Sequence, residues 1–175
     1  MSDQTLTLKA FNDLPKAQAR DALARCCAAG RWVEQMLARS PFKQFDDLLI
    51  AADEAFALLE PKDWLDAFGH HPRIGDAASL RAKFASTATW ASGEQAGAGG
   101  AREDEIEALA QGNEVYFQKF GYIFIVNATG KAAGEMLQTL VARLENDPET
   151  ELTVAAAEQM KITHIRLHKL IRLEP

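Results

Sequence analysis

Cysteine is nearly absent from this 175-residue chain: it has two, Cys26 and Cys27, and they are adjacent. Adjacent positions rarely suit a disulfide with each other, and there is neither a CxxC pair nor a Cys/His zinc spacing. A disulfide framework and a structural zinc centre are therefore set aside, and buried free thiols in a reducing compartment are expected. Long apolar runs are missing as well, and nothing approaches the ~18 consecutive apolar residues of a membrane span. The opening MSDQTLTLKAF lacks the apolar stretch of a secretory signal, and the closing RLEP is not a peroxisomal address. Positive charge is also in short supply, with a formal net charge of −6. A nucleic-acid binder should show a basic face. The expectation is a soluble cytoplasmic protein with neither nucleic acid nor membrane as partner.

What is present is ordinary for a globular domain: 47% hydrophobic and 25% charged residues. The length suits one domain over residues 1–175, enough to bury a core without covalent or metal staples. Helical punctuation dominates. Asp13 and Pro15 mark a helix start and Gly30 its stop. Trp32, Val33, Met36 and Leu37 form a second short helix closed by Ser40-Pro41. Asp46 can cap a helix carrying Leu48, Leu49, Ala52, Phe56 and Leu59 at helical spacing. Pro61 opens another through Trp64 and Phe68, and Leu80 to Phe84 make a turn or two.

An Ala- and Gly-rich stretch, ATWASGEQAGAGGAREDE, follows; it carries a glutamate and an amide that an inert spacer does not need. From Glu103 to about Phe120 the helical period is plain. Gly121 interrupts it, and YIFIVNATG reads as extended, with no second clear strand to pair with. Lys131 to Glu145 and Glu149 to about Leu173 complete an all-α fold of about seven to nine helices, with one short extended segment near 122–127.

Several motifs fall away on inspection. ATGKAAG at 128–134 is not a phosphate loop: Ile125 stands where glycine is needed, and Ala132 where Ser or Thr would hold magnesium. His164 and His168 could share a zinc ion on one helix face, but without an HExxH pattern they read as two surface histidines. No serine sits in a nucleophile elbow. No metal is expected.

Three features remain, each with two readings. His71 precedes Pro72, which biases its backbone away from the α region; it is either a helix-stop histidine or a proton-transfer group. Its neighbour His70 reads as structural or solvent-facing. Glu94-Gln95 lies among small residues that allow close approach of a ligand to the backbone; alternatively Glu94 is a helix N-terminal acid favoured by the dipole. Arg166 projects from the same stripe as Ile162 and Leu170. It either seeks an anionic or carbonyl partner or snorkels to water.

HHPRIGD, ASGEQAGAG, VYFQKFGYIFIVNATGK and EQMKITHIRLHKL, in that order and spacing, resemble the 2-oxo-4-hydroxy-4-carboxy-5-ureidoimidazoline (OHCU) decarboxylase family of urate catabolism. The likeness spans nearly the whole chain. It implies an all-helical fold, usually a homodimer, and a carboxy-lyase that uses neither metal nor organic cofactor. The implied reaction converts the ureidoimidazoline to (S)-allantoin and CO2. By position, His71 matches the catalytic histidine and Pro72 its neighbour in the substrate pocket. Glu94 and Gln95 match the family's Glu-Gln pair, with Ser92 close by, and Arg166 matches the arginine of the last helix. Glu94 and Arg166 are thereby implied in catalysis as well as in substrate binding. Phe124, Ile125 and Val126 match the segment whose main chain lines the pocket. One departure is local: Ala91 stands three residues before Glu94, where many relatives carry serine. Two readings compete with an enzyme, namely a non-catalytic helical module binding ureido or purine-like ligands, and a structural dimerisation domain.

Overall fold

The computed structural model describes residues 5–72, 76–91 and 103–172, without the side chains of 85–91. Among the described residues there are nine helices and no strand, only an isolated bridge between Leu6 and Ile171. The all-α expectation holds. The chain falls into two compact units, one built from Met1–His70 and Ala156–Pro175, the other from His71–Ala155.

In the first unit, α1 (Leu8–Asn12) begins where the Thr7 hydroxyl accepts the Ala10 N–H at 3.1 Å, a standard N-cap. At five residues it is too short to show an apolar period, and so it is not among the expected helices. After Pro15, α2 (Lys16–Cys26) runs only to Cys26, because Cys27 turns extended at φ −146° and ψ 120°. Gly30 is therefore not the stop of this helix: it opens α3 (Gly30–Arg39). α3 ends before Ser40-Pro41 as expected, and it buries Trp32, Val33 and Met36.

In α4 (Phe45–Ala57) the cap differs from expectation. The carboxylate of Asp47, not Asp46, reaches back to the Gln44 N–H at 3.0 Å, the acid half of a capping box. α5 (Pro61–Gly69) repeats the device, with Asp63 accepting from the Glu60 N–H at 2.9 Å and proline at the first helical position.

α3 packs against α2, α4 and α5. Leu23, Trp32, Met36, Leu48 and Leu167 form a core closed to solvent. The Trp32 indole N–H donates to the Ala52 carbonyl at 3.1 Å, so its polar atom is satisfied inside that core. Asn12 and Phe42 exchange hydrogen bonds, amide to carbonyl at 2.8 Å and backbone N–H to side-chain oxygen at 3.0 Å.

The second unit opens with α6 (Ala77–Ala91), much longer than the expected turn or two. Asp76 caps it, accepting from the Ser79 N–H at 2.8 Å and the Ser79 hydroxyl at 2.7 Å. Those bonds hold the Asp76 carboxyl below its usual range. α7 (Glu103–Phe120) ends at Gly121, whose φ of +79° lets its N–H close on the Phe117 carbonyl at 2.8 Å. A Cβ on Gly112 would lie 2.6 Å from Leu140 Cδ2, so this glycine lets α7 approach α8 (Ala133–Leu144) closely.

Residues 123–128 carry no regular secondary structure and join no ladder, so the extended segment expected near 122–127 forms no strand. α9 (Pro148–Leu170) starts at Asp147, which accepts from the Glu149 and Thr150 N–H groups at 3.1 and 3.0 Å. The boundary between units falls within this helix, after Ala155. Leu80, Phe84, Ile106, Leu109, Tyr116, Met136 and Leu140 form the core of this unit.

Candidate active site

In the second unit the non-helical segment is fastened from one side. Arg143 and Glu151 are both buried, at 7% and 0% exposure. The guanidinium donates from Nε to Glu151 Oε1 at 2.8 Å and from Nη1 to the Ile125 carbonyl at 2.7 Å. Its Cζ lies 4.7 Å from the Phe124 ring centroid, within cation–π range. The Tyr116 hydroxyl donates to Glu151 Oε1, and the Asn146 amide donates to Oε2 at 2.7 Å. Burial, reinforced by that bond to Glu151, pushes the Tyr116 phenol well above its ordinary range, so it stays a neutral donor.

Each buried charge therefore has its counter-charge and its hydrogen bonds, which is the condition for tolerating an ion pair in a core. Ile125 is 2% exposed, and Phe124 and Val126 pack partly buried against the same core. The Ile125 carbonyl is taken by Arg143, while its N–H has no acceptor among the described residues.

His71 begins this unit, half-buried in a bend just past α5, and Pro72 beside it is exposed. His70, the C-cap of α5 in the first unit, is solvent-facing, its side chain 63% exposed and its Nε2 3.8 Å from Asp66 Oδ1. The two adjacent imidazoles thus have different surroundings. Ser92, Glu94 and Gln95 lie outside the described residues.

In the first unit, Arg166 on α9 finds carbonyl partners. Its Nη1 donates to the Cys26 carbonyl at 3.3 Å and to the Arg25 carbonyl at 3.4 Å. These are among the last carbonyls of α2, which no intrahelical N–H can satisfy. Nε and Nη2 have no acceptor among the described residues.

Cys26 and Cys27 are buried and unpaired, as expected. Burial pushes the Cys26 thiol up to about 12, against a smaller opposite pull from Arg166. His164 and His168 have separate partners: His164 pairs with Asp53 at 2.8 Å, and the His168 ring lies 4.8 Å from that of Phe45. Among the described residues no group of three or more His, Cys, Asp or Glu gathers as metal ligands would. No helix there is long and apolar enough to cross a membrane.

Sequence reasoning missed Arg143 and Glu151. A signal existed for the first: Met136, Leu140 and Arg143 recur at i, i+4 and i+7 in α8, an arginine on an apolar stripe like Arg166. Nothing local marked Glu151, which lies beyond a helix break and looks like a first-turn acid favoured by the dipole.

The OHCU decarboxylase family model matches residues 12–168. The chain is 37% identical over 147 residues to the uric acid degradation bifunctional protein TTL of Arabidopsis thaliana, covering 83% of this chain and 45% of that protein. It thus spans less than half the length of that relative. It is 24% identical over 168 residues to 2-oxo-4-hydroxy-4-carboxy-5-ureidoimidazoline decarboxylase of Halalkalicoccus jeotgali, covering 94% of this chain and 92% of that one. A crystal structure of OHCU decarboxylase in the presence of (S)-allantoin superposes with a TM-score of 0.67 at 34% identity, covering 86% of this chain and 96% of that one. With a family match running from Asn12 to His168, through the non-helical segment and the arginine of the last helix, the chain belongs to the OHCU decarboxylase family.

Proposed function

We propose that the chain is an OHCU decarboxylase domain that converts 2-oxo-4-hydroxy-4-carboxy-5-ureidoimidazoline to (S)-allantoin and CO2. The observation that carries this reading is the family match over residues 12–168, which takes in His71, Ser92, Glu94, Gln95, the 124–126 segment and Arg166. The solved relative's allantoin is in keeping with a ureido-bearing ligand.

The chemistry needs little beyond placed polar groups. The bond from the ring carbon to its carboxylate breaks, CO2 leaves, and the electron pair enters the ring's conjugated C=N and C=O system. The ring is its own electron sink, so the proposal includes no metal or organic cofactor. The chain then has to hold the carboxylate out of the ring plane and deliver one proton to one face, which fixes the S configuration.

His71, beside Pro72, hydrogen-bonds the reacting hydroxyl or carboxylate region and supplies or relays that proton. Glu94 and Gln95 orient the ureido and ring amide groups, with Ser92 beside them. Arg166 binds a ring oxygen through the nitrogens it does not use on α2 and stabilises the developing negative charge. The main chain of Phe124, Ile125 and Val126 lines the pocket. The proposal extends to a homodimer, which the family resemblance implies, and to a cytoplasmic location.

The test is CO2 release and optical rotation from freshly generated substrate. Catalysed release with an excess of (S)-allantoin supports the proposal. Decay at the spontaneous rate to racemic product overturns it, and (S)-allantoin binding without catalysis would then leave a binding module. Light scattering of the purified chain tests the dimer.

A further inference from the structure

The proposed pocket borrows its wall from a segment without secondary structure, and such a segment has no ladder to hold its main chain in place. Among the described residues, Arg143 does so. Arg143 joins Glu151, on α9, to the Ile125 carbonyl, and its Cζ lies over the Phe124 ring. Glu151 is itself held by the Tyr116 hydroxyl and the Asn146 amide, and so cannot swing away. The geometry points to Arg143 as a positioning residue: it fixes the main chain at 124–126 so that its N–H groups face the substrate.

A guanidinium suits the task because its fork is rigid, always charged and able to serve carboxylate and carbonyl at once. A lysine is a point charge and cannot make the same planar pair of contacts. The part of this inference that concerns substrate rests on the proposed decarboxylase activity. The part that concerns the segment does not.

Two variants separate positioning from mere support of the fold. Replacing a buried ion pair by apolar side chains of similar size is often neutral for stability. Arg143→Met/Glu151→Met is therefore expected to stay folded, with a melting temperature lowered only by the Tyr116 and Asn146 donors that lose their acceptor, while losing the hold on Ile125. Amide hydrogen exchange at residues 123–128 is expected to rise about tenfold or more, local opening being what exchange reads. In the same protein kcat/KM is expected to fall about tenfold, mostly through KM, because a pocket wall binds substrate and transition state alike.

Arg143→Lys provides the same readings where the double variant does not fold. Exchange at 123–128 within about threefold of the unaltered chain, in a folded variant, overturns the positioning role. If the unaltered chain releases no CO2, the activity proposal fails, and the exchange result alone decides the role of Arg143.

Discussion

Arg166 reaches the Cys26 carbonyl through Nη1, at 3.3 Å, and so joins the last helix to the end of α2. One nitrogen of the guanidinium closes a helix terminus, and the proposed ligand contact would use the others. Arg166→Gln should therefore separate two effects. Loss of the carbonyl bonds is expected to cost about 1 kcal/mol in urea unfolding. Loss of charge stabilisation in the reaction is expected to lower kcat about 10²- to 10³-fold. A variant with unchanged kcat would leave Arg166 a helix-capping residue.

His71 and His70 are adjacent, yet only the first is half-buried. His71→Asn is expected to lower kcat by about 10²- to 10⁴-fold, the usual contribution of a proton-transfer group. His70→Asn should leave turnover within about twofold, as for an exposed residue outside the chemistry. Steady-state assays of the two variants side by side check the asymmetry.

Glu151 anchors a buried network, and removing it alone leaves Arg143 charged and unpaired. Glu151→Ala is expected to destabilise by about 3–5 kcal/mol in chemical denaturation. Tyr116→Phe removes a single hydroxyl from the same network and should cost nearer to 1 kcal/mol. Equal losses for the two would contradict Glu151 as the hub.

How far all this could be read from the chain depends on where each signal sits. α3 and α7 were legible because their apolar residues recur on one face: Trp32, Val33 and Met36, then Ile106, Leu109 and Tyr116. α6 was under-read because AASLRAKFASTATWA spreads alanine round the helix and leaves no clear stripe. Gly30 misled because a glycine after an apolar stretch reads as a stop, whereas the break belongs to the extended Cys27. For the site, Arg166 stood out from its apolar stripe, but its carbonyl partners lie some 140 residues earlier in the chain. The Arg143–Ile125 bond spans 18 residues and ends on a backbone oxygen, which has no sequence identity to read.

Glycine substitutions test those boundaries directly. Gly121 sits at φ +79° with open space around a would-be Cβ, so Gly121→Ala should cost about 1–2 kcal/mol from backbone conformation alone. Gly30 has no positive φ and equally open space. Gly30→Ala should stabilise by about 0.4–1 kcal/mol, acting through the unfolded chain. Melting curves of the two variants should therefore move in opposite directions.

Cys26 is 2% exposed, and its thiol is raised from the ordinary 9.0 to about 12. Below 9.0 the thiol is protonated in the folded and unfolded chain alike, so its contribution is fully present. Above that value the unfolded chain loses the proton first, and stability is lost as pH climbs towards about 12. The fall in unfolding free energy above about pH 9 should be shallower for Cys26→Ala. Thiol-reactive dyes at about pH 8 should label neither cysteine until the first unit opens.

The Leu6–Ile171 bridge has a kinetic meaning. Leu6 N–H bonds the Leu170 carbonyl and Arg172 N–H bonds the Leu6 carbonyl, each at 2.7 Å. The first unit is discontinuous in sequence, while His71–Ala155 is continuous. On a ribosome the continuous unit has all its residues early, whereas the other must wait for Leu167, Leu170 and Ile171 to complete its core. Closing a loop that long makes it the slow step. Until then the core around Trp32 and Met36 lacks its last members, so the half-made chain, rather than the finished one, is the form expected to depend on a chaperone.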